Sequence, residues 1–267
     1  MNIDLKQLKD IVISASKAEL LPRFNAVERA YKPDGSVVTE ADLVMQEQLT
    51  SRLKEAYPDI DLLGEEMTAE QQQSLLASGK ALWCLDPVDG TSNFAAGVPY
   101  FSVSLALIEN GLVTLGIVYD PVRDECFSAQ LGQGAHLNDQ PLSAKDTGLS
   151  LQRAIALIDF KRLSTELATQ LVTEIPYGSQ RSLGSIALEL CWLAAGRGHI
   201  YLHAKQHLWD YAAAHLILTE AGGHACTLEG QSLPQNQLDP CSTVAALDKS
   251  LFSQWCAYLN SHPTLNA

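Results

Sequence analysis

The strongest constraint on this chain is an abrupt passage. A wholly apolar segment, Ala81-Leu82-Trp83-Cys84, runs straight into Leu85-Asp86-Pro87-Val88-Asp89-Gly90-Thr91-Ser92. The apolar segment reads as a buried strand. Pro87 and Gly90 then predict a turn, which leaves two carboxylates three residues apart at a strand end. Carboxylates so placed suit hard divalent cations. The backbone N–H groups of Gly90, Thr91 and Ser92 can receive an oxyanion, as helix N-termini and backbone nests do. Cation on one side and oxyanion on the other is a layout for phosphoryl transfer. By themselves Asp-Pro and Asp-Gly are ordinary turn dipeptides; what sets this run apart is a set of matching acidic elements elsewhere.

The chain around it is long and apolar enough for one large domain or two small ones: 267 residues, 46% hydrophobic and 18% charged. The rhythm changes near residue 148, which predicts an α+β half over 1–148 and an α/β half over 149–267. In the first half, Asp4 caps a helix carrying Leu5, Leu8, Ile11, Val12 and Ala15 at helical spacing, which Pro22 bends or interrupts. Pro33-Asp34-Gly35-Ser36 is a turn, Thr39-Glu40-Ala41-Asp42 opens a second helix, and Ile60–Leu63 is a strand ending at Gly64-Glu65-Glu66. Strand patterns follow from Ser102 to Leu137, with a hairpin signal at Glu109-Asn110-Gly111. Gly132-Gln133-Gly134 lacks the third glycine and following helix of a phosphate loop and reads as a hairpin turn. In the second half, strands at 154–158, 199–202 and 244–247 alternate with helices at 164–173, 185–195, 210–221 and 251–259. An antiparallel sheet in the first half and a mixed sheet in the second is the expected architecture.

Charge and cysteine usage narrow the function. A formal net charge of −13 repels nucleic acid and anionic membranes, so neither is an expected partner. It does not exclude a small anionic substrate, provided bound cations reverse the local field. The apolar stretch around 101–108 is too short to span a bilayer, and the N-terminus carries no signal-peptide core. The six cysteines, at 84, 126, 191, 226, 241 and 256, form no C-x-x-C pair and read as reduced thiols. A cytoplasmic location is expected.

Four acidic elements carry the chemistry: Asp42 in a first helical turn, Glu65 at a strand end, the pair Asp86 and Asp89, and Asp210 after Trp209 at a helix start. Each has a plain structural reading as well. Thr39 and Asp42 have capping-box spacing, Glu65-Glu66 suits a solvated strand end, and Asp210 suits a helix cap. Together they fall at strand ends and helix starts, where layered α/β folds build their sites.

With these elements, Gly64-Glu65-Glu66, Asp86-Pro87-Val88-Asp89-Gly90-Thr91 and Trp209-Asp210 followed by Ala221-Gly222-Gly223, the chain resembles the inositol monophosphatase superfamily of Mg²⁺-dependent, often lithium-sensitive phosphatases. Val38-Thr39-Glu40-Ala41-Asp42 is similar to a further family element. The resemblance implies a layered α-β-α-β-α sandwich, usually a homodimer, binding two to three Mg²⁺ ions and hydrolysing a small phosphorylated metabolite. It implies Glu65, Asp86, Asp89, Asp210 and the carbonyl of Val88 as metal ligands, with Glu65 also serving a third ion through water. It implies Thr91 paired with Asp42 to orient and deprotonate water. Gly90, Thr91 and Ser92, with Asp89, Gly184, Ser185, Ala187, His203 and Asp210, would contact substrate.

The match departs at His203, which falls where inositol phosphatases carry a glutamate for ring hydroxyls. Nucleotide bisphosphates and sugar bisphosphates are therefore alternative substrates, and His203, Lys205 and His207 add positive charge suited to a second phosphate. His203 and His207 also stand four apart, the spacing of a metal pair were the stretch helical. Haloacid dehalogenase-like phosphatases use D-x-D-G-T, one residue shorter than the D-x-x-D-G-T present here. A non-catalytic role in binding metal, phosphate or a macromolecule is the rival of another class.

Overall fold

Side-chain alternation along the strands sorts the chain into layers. In the computed structural model, which describes residues 3–32 and 37–261, Val103, Leu105 and Leu107 share one buried cluster with Leu8 and Val12 of the helix Leu5–Glu19 and Met45 and Leu49 of the helix Glu40–Ala56. Their neighbours Ala106 and Ile108 point the other way, onto Leu190 of the helix Ile186–Ala194 and Ala213 and Ile217 of Leu208–Glu220. The period of two recurs in a second sheet. Leu157, Tyr201 and Ala245 join the same central cluster, while Ile158, Leu202 and Val244 pack on Leu171 of Thr165–Glu174 and Trp255 of Lys249–Asn260. Helix, sheet, helix, sheet and helix thus stack in the order expected from the sequence. The turn expected at Pro33-Asp34-Gly35-Ser36 lies outside the described residues.

The first sheet has seven strands side by side in chain order, from Asp61–Gly64 to Gln140–Leu142. All neighbours are antiparallel except Asp61–Gly64, which runs parallel to Leu82–Asp89. A parallel pair needs a crossover, and the helix Ala69–Ala77 supplies it. That helix was not among the elements read from the sequence, although Thr68 and Gln71 form its capping box. Asn110 and Gly111 both take positive φ, +53° and +76°, as a two-residue hairpin of the mirror-image type requires. The Gly132-Gln133-Gly134 turn is occupied from within: the N–H groups of Gly132 and Gly134 donate to the Glu220 carboxylate, 2.8 Å each.

The second sheet is mixed and has five strands. Ile155–Ile158 lies parallel to both Ser179–Arg181 and Ile200–Gln206, and Cys241–Ala246 runs antiparallel to Ile200–Gln206 and His224–Cys226. The helix Leu208–Glu220 spans the gap between the sheets and carries Asp210 in its first turn. Its backbone lies so close to the first sheet that a Cβ on Gly116 would come 2.6 Å from the carbonyl oxygen of Ala213. The N-terminal helix stops at Glu19, and Pro22 sits inside a separate 3₁₀ turn, Leu21–Arg23. Among the described residues no helix is long and apolar enough to cross a membrane.

Candidate active site

The acidic run is not the separate turn that Pro87 and Gly90 suggest. The strand Leu82–Asp89 carries through it, and the register against Ser102–Glu109 slips: Asp86 faces Ser104 while Asp89 faces Ser102. Three steps on one strand oppose two on the other, which is a β-bulge. A bulge tolerates a residue without an N–H, so Pro87 costs no ladder bond there. The turn comes at Gly90, with φ +96°. A Cβ there would lie 3.2–3.3 Å from the backbones of Gly184, Tyr100 and Phe101, so both conformation and space call for glycine. A short helix, Thr91–Ala96, follows.

At Asp42 the capping reading and the chemical reading hold together. One carboxylate oxygen accepts from Thr39 N–H and Thr39 Oγ, both 2.7 Å. The other accepts from Thr91 Oγ at 3.0 Å, across 49 residues of chain. The Thr91 hydroxyl also lies 3.0 Å from the Val88 carbonyl. With two acceptors for its one proton, Thr91 Oγ keeps lone pairs to accept a hydrogen bond from water. Burial raises the Asp42 carboxyl above its usual range, and the charge of Glu65 adds to that.

Asp89 joins the two sheets. Ser185 Oγ donates to it, as do the N–H groups of Ile186 (3.0 Å) and Ala187 (2.7 Å) at the start of a helix. Ser185 and Ala187, expected beside substrate, thus act on Asp89. Ala187 is itself buried, and its neighbour Ile186 lines the cavity described below. Burial raises the Asp89 carboxyl to about 6, less than it would without these donors. Asp86 and Asp210 are also pushed up, by burial first and then by the charge of Glu65 and of one another's neighbours. Glu65 is tied to Lys32 at 2.7 Å, and Lys32 reaches Glu66 at 2.6 Å. Burial lifts Glu66 to about 7. The Lys32 partnership had no sequence signal, because the two ends lie 33 residues apart.

Among the described residues Asp42, Asp86, Asp89 and Asp210 have no ion-pair partner within 4.0 Å. Buried carboxylates that repel one another without a counter-charge are unfavourable unless protonated or supplied with cations. Their oxygen-only chemistry fits a hard divalent ion. As they stand, no three of the described His, Cys, Asp and Glu side chains already close around one point as ligands.

Asp89, Ser92, Gly184, Ser185, His203 and Asp210 all open on one cavity of about 450 Å³. Asp159, Lys161, Arg162, Lys205 and Glu189 line it too, and none of these except Lys205 was picked out from the sequence. Glu189 sits in a helix that reads as pure core; it accepts from the N–H groups of Leu183 (2.6 Å) and Gly184 (3.2 Å), and burial raises it to about 7. His203 is 4% exposed, and both ring nitrogens are engaged. Nδ1 accepts from Lys205 N–H at 3.2 Å and Nε2 lies 3.2 Å from Asp159 Oδ2. His203 belongs to the strand Ile200–Gln206, while His207 precedes a helix and stacks on Trp209, so the two do not share a helical face.

The sequence matches the model of the inositol monophosphatase family over residues 3–264. It is 33% identical over 229 residues to the inositol-1-monophosphatase of Bacillus subtilis, covering 82% of this chain and 83% of that one. It is 32% identical over 240 residues to Nus factor SuhB of Xylella fastidiosa, covering 86% and 85%. A crystal structure of SaIMPase-II with bound 2′AMP superposes with a TM-score of 0.81 at 27% identity, covering 96% of this chain and 94% of that one. The chain belongs to the inositol monophosphatase family and is a phosphatase.

Proposed function

We propose that the protein is a Mg²⁺-dependent phosphomonoesterase for a small phosphorylated metabolite, with an inositol monophosphate-like compound as first candidate. The observation that carries this reading is the Asp42–Thr91 hydrogen bond beside buried carboxylates, Asp86 and Asp89, that make no ion pair with a described residue. The 2′AMP bound in SaIMPase-II supports a phosphorylated small molecule as ligand. Glu65, Asp86, the carbonyl of Val88, Asp89 and Asp210 would hold the ions. When bound, Mg²⁺ lowers the pKa of water and offsets the charge of phosphate and leaving oxygen.

Thr91 Oγ accepts a hydrogen bond from the attacking water and passes the proton towards Asp42. The raised basicity of a buried carboxylate favours that direction. The backbone N–H groups of Gly90, Thr91 and Ser92 hold phosphate oxygens. The new P–O bond forms as the ester P–O bond breaks, and the leaving oxygen takes a proton from solvent. No covalent enzyme intermediate is involved. A homodimer and sensitivity to Li⁺ belong to the same reading.

Phosphate release from inositol 1-phosphate, with and without Mg²⁺, tests it. Turnover that vanishes on chelation, returns with Mg²⁺ and falls in tens of millimolar Li⁺ is expected. Turnover that survives chelation, or a trapped phospho-aspartyl enzyme, would overturn it. Because relatives carry the name Nus factor SuhB, a non-catalytic binding role is the second reading. It gains weight if no phosphomonoester is hydrolysed with metal present.

A further inference from the structure

The cavity has two walls of opposite character. The first sheet contributes Asp89, and two helices contribute Glu189 (Ile186–Ala194) and Asp210 (Leu208–Glu220). The second sheet and its loops contribute His203, Asp159, Lys161, Arg162 and Lys205. What this second wall can offer a ligand follows from counting donors and acceptors.

His203 offers nothing to spare. A backbone N–H can only donate, so Nδ1 is the acceptor for Lys205 N–H, and the ring proton sits on Nε2, facing Asp159. Asp159 is engaged on both oxygens: Oδ2 faces His203, and Oδ1 accepts from Lys161 N–H at 2.9 Å. The bond from His203 holds the Asp159 carboxyl below its usual range, so it stays an anion committed to that partner. With one donor already on each Asp159 oxygen, this wall's capacity to accept hydrogen bonds from a polyol is reduced.

What remains is donors. Lys161 and Arg162 lie in the 3₁₀ turn Phe160–Arg162, directly beyond the strand Ile155–Ile158. Lys205 follows His203 by two positions, at a slip in register against Cys241–Ala246, and lines the same cavity. None of the three makes an ion pair with a described residue. They stand at the carboxyl ends of parallel strands, where open α/β sheets bind ligands.

We propose that Lys161, Arg162 and Lys205 form a subsite for a second anionic group, so that a phosphomonoester carrying a further phosphate or carboxylate is favoured over the same compound without it. This rests on the phosphatase reading above, because the first phosphate is taken to sit beside Asp89 and Asp210. Charge-assisted bonds from exposed cations to a phosphate are each worth a few-fold in affinity, and three of them about tenfold or more.

The test compares matched pairs that differ by one phosphate: adenosine 3′,5′-bisphosphate against 3′-AMP, and fructose 1,6-bisphosphate against fructose 1-phosphate. The wild-type protein and the triple variant K161Q/R162Q/K205Q are measured with Mg²⁺. For at least one pair the wild type should favour the bisphosphate by about tenfold or more in kcat/KM, and the triple variant should lose most of that preference. The preference should also shrink as salt rises. Equal kcat/KM within both pairs, or a preference that survives in the triple variant, would overturn the subsite. Calorimetric binding of the same four compounds, with Mg²⁺, separates this outcome from failure of the phosphatase reading. If nothing is hydrolysed but the bisphosphates still bind more tightly to the wild type than to the variant, the subsite stands and catalysis falls. If binding shows no such difference, the subsite falls as well.

Discussion

The two walls of the cavity solve opposite electrostatic problems. The acidic side, with Asp42 behind it, gathers buried and half-buried carboxylates that make no ion pair with a described residue, and donors pin them. Asp42 is held by Thr39 and Thr91, Asp89 by Ser185, Ile186 and Ala187, and Asp210 by His207 N–H. The wall on the second sheet does the reverse, leaving Lys161, Arg162 and Lys205 exposed with no ion pair to a described residue and locking Asp159 onto His203. Burial makes the first wall dependent on ions and intolerant of change. Exposure makes the second a place where side chains can vary without cost to the fold. Chemistry and selectivity are thus assigned to regions with different mutational tolerance.

The sharpest way to break this contrast is Asp89→Asn. It removes one of the charges proposed to hold metal, and turnover should fall ~1000-fold, the scale of losing a preorganised charge-stabilising group. The fold should suffer too. Both Asp89 oxygens accept backbone N–H groups, so whichever way the amide turns, its NH₂ meets an N–H donor. A stability loss of roughly 1–3 kcal/mol is expected, read as a lower urea midpoint. Unchanged stability would mean that Asp89 does not tie the sheets together.

Thr91→Ala should come next, with kcat reduced about 100-fold and the fold intact, because only the hydroxyl's contacts with Asp42 and the Val88 carbonyl are lost. Thr91→Ser should recover most of the rate. If alanine and serine behave alike, Thr91 does not handle the proton. Gly116→Ala acts at a distance from both walls. The new methyl meets the Ala213 backbone at 2.6 Å and must push the helix Leu208–Glu220 off the sheet. A cost of about 2 kcal/mol is expected. Because that helix carries Asp210, activity should fall further than stability alone explains, and an activity loss matching the unfolded fraction would refute the link.

The contrast between the walls also governs what could be read from sequence. The layers were legible, since Val103 to Ile108 and Ile155 to Ile158 alternate or run apolar as buried strands do. So was the Asn110-Gly111 hairpin. The bulge was not, because Pro87 and Gly90 spell a turn equally well, and only the pairing partner Ser102–Ser104 distinguishes the two. Asp42 and Thr91 could be joined only through family resemblance, since nothing local ties residues 49 apart. Lys161 and Arg162 carry no pattern, and two cations after a strand read as a solvated loop. Glu189 was hidden by its company, Leu188, Leu190 and Cys191, which announces a core helix.

Glu189 also supplies the subtlest test, because it is a buried carboxylate held like those of the first wall yet not among the proposed metal ligands. Burial raises it from the ordinary 4.5 to about 7. A raised carboxyl binds its proton more tightly in the folded state than in the unfolded one. Its contribution to stability is therefore full below pH 4.5 and is lost as pH rises through 7. Glu189→Gln keeps an oxygen for the Leu183 and Gly184 N–H groups but cannot ionise. Relative to wild type, the variant should gain on the order of 1 kcal/mol between pH 5 and pH 8, measured as the difference in urea midpoints. A gap that does not change with pH would mean that Glu189 is ionised throughout, held by its backbone donors strongly enough to outweigh burial.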